Sequence, residues 1–133
     1  MRDPGNLPEF FHFLGMSVVE ASAEQVVLRM NVPKGFRSPY DRVHGGAIAA
    51  LIDTAFGAAV ATRLGPSGRT ATHELSVSYV SFAAEHTLVA TARVLGMGKT
   101  VATVEGEVST DDGRLVAKAL GTFGVFRREA RRS

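Results

Sequence analysis

Residues 45–62, GGAIAALIDTAFGAAVAT, contain eighteen positions and a single ionisable group, Asp53. The flanks define a helix: His44-Gly45-Gly46 opens it, and Gly65-Pro66 stops it just after Leu64. A helix apolar nearly all round has to be enclosed rather than laid on a surface. Its small residues (Ala47, Ala49, Ala50, Ala55, Gly57, Ala58, Ala59 and Ala61) permit close approach by whatever encloses it. Eighteen residues also approach the length of a membrane span. Alanine and glycine dilute the hydrophobicity, however, and Asp53 would sit at mid-membrane. The expectation is therefore the core helix of a soluble domain with no membrane partner.

The rest of the chain supplies what encloses it. Residues 7–14 predict a short helix with Pro8 in its first turn. Residues 25–32 alternate as a half-buried strand, with Val26, Leu28, Met30 and Val32 on one face. Residues 33–43, PKGFRSPYDRV, read as a loop into the helix. After residue 68 the pattern is strand throughout. Leu75, Val77 and Tyr79 alternate with Glu74, Ser76 and Ser78, and Leu88, Ala90, Ala92 and Val94 repeat the period. Gly96-Met97-Gly98 turns the chain into a strand with Ala102, Val104, Gly106 and Val108 on one side. Asp111-Asp112-Gly113 is a hairpin signal, followed by a strand with Leu115, Ala117, Ala119, Gly121, Phe123 and Val125 sharing a face. One long helix and a sheet with one face to cover predict an α+β fold, an antiparallel β-sheet wrapped around one long central α-helix. No repeat or linker is visible, so residues 1–126 are expected as one domain and 127–133 as a basic tail.

That tail accounts for the high pI of about 9.4. It holds four arginines and one glutamate, leaving 11 basic against 12 acidic residues in the body, which carries no footprint for nucleic acid. With no cysteine, disulfides, thiol nucleophiles and thiolate metal sites are excluded. The start, MRDPGNLPEF, lacks the apolar core of a signal peptide, so a cytoplasmic location is expected.

Chemistry concentrates at the helix start. A glycine turn there leaves backbone N–H groups free, and with the helix dipole they favour a developing negative charge such as a thioester or ester oxyanion. Alternatively Gly45-Gly46 serves tight packing alone. A carboxyl group in an apolar setting, as at Asp53, is suited to act as general base or nucleophile. The competing role for Asp53 is a helix N-cap, against which stands the helix-compatible stretch 47–52. Gly45 and Asp53 are eight residues apart, about 12 Å along a helix axis, so both can serve one reacting group only from different subunits. His44 is either a structural residue fixing the loop to the helix start or a participant. His12, His44, His73 and His86 share no ligand spacing, and neither a serine elbow, a phosphate loop nor a dinucleotide fingerprint is present. No metal and no cofactor is expected.

HGGAIAALIDTAFGAA (44–59) and ELSVSYVSFA (74–83), extended by GMGKTVATVEGEV (96–108) and DGRLVAKALGTF (112–123), resemble the hotdog-fold acyl-CoA thioesterases of the phenylacetic-acid-degradation (PaaI) type. The resemblance implies hydrolysis of an acyl-CoA, with an aryl-acetyl or medium-chain acyl group, to free acid and CoA. Asp53 stands at the family's acid, the Gly45 N–H at the group that polarises the carbonyl, and Thr72 where some relatives place a water-positioning hydroxyl. His44 belongs to the same catalytic constellation. Gly46 and Ser38 are expected beside the substrate carbonyl, Ser38 standing where many relatives carry asparagine. Lys99 and Gly98 resemble a turn near the CoA. Relatives place the acid and the amide on opposite subunits, which implies a homo-oligomer, a dimer or dimer of dimers. A non-catalytic acyl-CoA-binding module and a hotdog hydratase or dehydratase are the alternatives.

Overall fold

The computed structural model describes residues 8–127. In chain order these form helix α1 (Glu9–Phe13), strands β1 (Met16–Ala21) and β2 (Val26–Asn31), a 3-10 turn (Lys34–Phe36) and helix α2 (Gly45–Leu64). Strands β3 (Gly68–Tyr79), β4 (Thr87–Met97), β5 (Val101–Thr110) and β6 (Leu115–Arg127) follow. All strand pairs are antiparallel, in the order β1-β2-β4-β5-β6-β3, and α2 packs across one face against β2 through β6. The expected wrap of sheet around helix is present. β3 follows the helix in sequence but takes the far edge of the sheet, paired among the described residues only with β6.

Close contact between helix and sheet depends on Phe56. A Cβ at Gly106 would meet its ring at 2.9 Å and collide with the Thr91 carbonyl, and one at Gly121 would meet the ring at 3.0 Å. Glycine at these strand positions opens the space that the ring fills, edge-on to Phe123. Ile48, Leu51, Ile52, Ala55, Phe56, Ala59 and Val60 form the face turned to the sheet. The helix is not enclosed all round, however. Ala49, Ala50, Asp53, Thr54, Gly57, Ala58 and Ala61 form a second stripe that the protomer covers only in part.

Four details depart from the sequence pattern. The first is β1, whose period is broken by a bulge between Val18 and Glu20 and whose residues beyond Met16 are largely exposed. The second is Gly96-Met97, which belongs to β4 beside a bulge, so the turn falls at 98–100. In the third, a bulge at Val108/Ser109 pairs Leu115 with Ser109, leaving Leu115 exposed and Val116 buried in its place. The fourth is Arg127, which ends β6 rather than opening a tail. The rest of that tail, 128–133, and Leu7 of the first helix lie outside the described residues.

Candidate active site

The N-terminus of α2 is built by His44. Its backbone is extended (φ −62°, ψ 135°), and its Nδ1 accepts the Gly46 N–H at 2.9 Å as an N-cap. That bond requires an unprotonated Nδ1. The His44 carbonyl accepts the Ala47 and Ile48 N–H groups at 2.9 and 3.3 Å. Among the described residues, the Gly45 N–H has no acceptor. The Gly45 carbonyl accepts the Tyr79 hydroxyl at 2.7 Å, and burial pushes that phenol's pKa upward, so it stays a donor. Behind the turn, Val43 N–H donates to the Ala83 carbonyl and His44 N–H to that of Phe36.

Asp53 lies within α2, not at a cap; the next residue, Thr54, donates its hydroxyl to the Ala50 carbonyl one turn back. The carboxylate is half-buried rather than enclosed, because it sits on the partly covered stripe. Its Oδ1 accepts the Thr72 hydroxyl at 2.7 Å, and Oδ2 has no partner among the described residues. A bulge in β3 brings Thr72 there. Thr72 pairs with Phe123 and Glu74 with Thr122, so His73 is an extra residue. Before the bulge Thr72 shares the inner face with buried Phe123; after it Leu75 and Val77 take that face and Glu74 turns outward.

A groove of about 630 Å³ runs between α1 and α2 to the start of β3, lined by Phe10 and Phe11, by Thr54 (the residue after Asp53), Gly57, Ala58 and Ala61, and by Thr70. The other predicted positions have partners of their own. The Ser38 Oγ accepts the Tyr40 N–H and the Ser38 N–H donates to the Arg42 carbonyl, so this residue serves its own turn. The Gly46 N–H is already taken by His44. Lys99 and Gly98 lie at the end of the sheet near the α2 C-terminus, where Arg127 donates to both their carbonyls beside a depression of about 590 Å³. Within one protomer the fold thus joins Asp53 to Thr72 and His44 to Gly45-Gly46; among the described residues no hydrogen bond links Ser38 or Lys99 to either pair. Tyr79 at the helix start was not singled out from sequence. Among the described residues no group of three His, Cys, Asp or Glu side chains could hold a metal.

Residues 40–117 match the family model of the thioesterase superfamily. A protein of Halobacterium salinarum named as a candidate esterase is 38% identical over 126 residues, covering 86% of this chain and 83% of its own. A variant of the phenylacetic acid degradation protein PaaI from Thermus thermophilus shares the fold at a TM-score of 0.79 with 27% identity, covering 88% of this chain and 98% of its own. A thioesterase of Haemophilus influenzae, at 16% identity a likeness of fold alone, superposes with a TM-score of 0.84 over 93% of this chain and 87% of its own. With more than half of the chain inside the family model and the six-stranded wrap shared with these structures, this protein is a member of the thioesterase superfamily, a hydrolase with the hotdog fold of the PaaI type.

Proposed function

We propose that the protein hydrolyses acyl-CoA thioesters in a site shared between two copies of the chain. The observation that carries this reading is Asp53, a carboxylate held on one oxygen by Thr72 and without a partner on the other among the described residues, on the helix whose next residue, Thr54, lines an apolar groove. Gly45, whose N–H is free, lies about 12 Å away along the same helix and cannot meet the same carbonyl. Two β3 edges paired antiparallel about a two-fold axis resolve this. Thr72 and Tyr79 stand seven residues apart along β3, so in the register that sets one against the other, Thr72 and Asp53 of one copy would lie beside Tyr79 and Gly45 of the other. The partly covered stripe of α2 supports the same assembly.

In this reading Asp53 Oδ2 takes a proton from water as the hydroxide adds to the thioester carbonyl carbon. The oxyanion is stabilised by the N–H of Gly45 of the partner subunit. Collapse breaks the C–S bond, and the proton held by Asp53 passes to the departing CoA sulfur, giving free acid and CoA thiol. Direct attack by Asp53 would instead form a mixed anhydride that water opens to the same products. In a single turnover in ¹⁸O-water, label in the Asp53 carboxylate with unlabelled product acid marks an anhydride opened at the Asp53 carbon, an outcome the general-base route does not give. Thr72 fixes the carboxylate; His44 and Gly46 fix the turn that presents the amide, and Ser38 closes the loop leading to it.

The acyl group occupies the apolar groove, whose floor of Gly57, Ala58 and Ala61 admits an aryl-acetyl or medium-chain tail. Lys99 and Arg127 flank the depression at Gly98 and supply cations for CoA phosphates. The test is thiol release from phenylacetyl-, hydroxyphenylacetyl-, benzoyl- and straight-chain acyl-CoAs by wild type and Asp53→Asn. Release by wild type, lowered by at least about a thousandfold in the variant, is expected. Equal turnover by the variant contradicts the role of Asp53.

A further inference from the structure

Gly45 and Gly46 are the residue type least able to hold its own backbone conformation. An oxyanion donor has to be fixed to within about 0.5 Å before the reaction begins. The bonds around the Gly45 peptide divide into two kinds. His44 Nδ1 with the Gly46 N–H, and the His44 carbonyl with the Ala47 and Ile48 N–H groups, lie within the helix start and move with it. The Tyr79 hydroxyl, donating to the Gly45 carbonyl at 2.7 Å, ties the Gly45–Gly46 peptide, and with it the Gly45 Cα, to a different element, the last residue of β3. Tyr79 is itself fixed by the ladder, opposite Ala117 of β6. Its ring also closes one side of Gly45, since a Cβ there would lie 3.5–3.6 Å from the ring and its hydroxyl, in ordinary contact.

We infer that Tyr79 is a positioning residue for the hydrolysis: its hydroxyl holds the Gly45 carbonyl and so fixes the Gly45 Cα, from which the N–H of the preceding peptide is aimed at the substrate carbonyl. It acts on the reaction only through Gly45. β3 then sets both halves of the chemistry, Asp53 through Thr72 and Gly45 through Tyr79, and in a two-fold dimer these two contacts of one strand serve two different sites.

The inference rests on the proposed role of the Gly45 amide, and the experiment separates the two. Tyr79→Phe keeps the ring and removes the hydroxyl. With an acyl-CoA that wild type hydrolyses, kcat is expected to fall about tenfold, less than the hundredfold or more of losing an oxyanion donor outright. The Kd for a thioether analogue, which has no carbonyl for the amide to hold, should stay within twofold of wild type. A variant kcat within twofold of wild type overturns the inference. So does a parallel loss of kcat and thioether binding, which marks Tyr79 as structural support for the whole site. A wild type that releases no thiol from any acyl-CoA overturns the hydrolytic reading itself and the inference with it.

Discussion

Asp53 and Thr72 are nineteen residues apart in the chain and 2.7 Å apart in space. Thr72→Val keeps the shape and removes the donor, freeing the carboxylate to rotate. The expected result is a kcat lower by about ten- to a hundredfold with a melting temperature close to wild type, because the lost bond is solvent-accessible and contributes only about 1 kcal/mol. Steady-state kinetics beside a thermal melt checks both. Lys99→Ala should raise KM for an acyl-CoA severalfold and leave KM for the N-acetylcysteamine thioester unchanged, since only CoA carries phosphates. Asp53 was legible in the sequence because a charge in an apolar run has to be accounted for. Its burial was overread, because composition does not reveal that the sheet covers only one face of the helix. Thr72 was visible only through family resemblance. Tyr79 carried no signal, since its partner is a backbone carbonyl and its position matches an inward-facing strand aromatic.

At the level of elements, strand bulges decide which residues face inward. The one at His73 turns Thr72 toward Asp53 and still keeps Leu75 and Val77 on the inner face. Those at Val94/Gly96 and Val108/Ser109 move the β4–β5 turn and exchange Leu115 for Val116. Strands β3 to β6 were legible as strands because alternation persists on either side of each bulge. The bulges were not, because one extra residue reverses the phase without altering composition. β1 was missed for the same reason, as an exposed edge strand with a bulge near its middle. Gly106 gives this scale a direct test. A methyl group there meets the Phe56 ring and the Thr91 carbonyl, neither of which is the loose end of a flexible side chain. Gly106→Ala should cost about 1–3 kcal/mol, read as a lower urea midpoint at unchanged slope.

For the whole molecule, the described residues leave two features unfinished: the outer edge of β3 and the partly covered stripe of α2 beside Asp53. In the proposed dimer, joining two copies along β3 would complete both and bring together an acid and an amide that one helix holds about 12 Å apart. Sedimentation should accordingly find a species of at least two chains. Subunit complementation tests the shared site most directly. Gly45→Pro deletes the amide proton at the first position of the helix, where proline is tolerated and the preceding His44 is already extended. Asp53→Asn removes the acid and leaves the amide. Each variant alone should be nearly inactive. Unfolded together in equal amounts and refolded, they should recover about a quarter of wild-type thioesterase activity, because half of the dimers are mixed and each mixed dimer holds one intact site. Refolded mixtures no more active than the separate variants, with mixed dimers present, would contradict a site built from two chains.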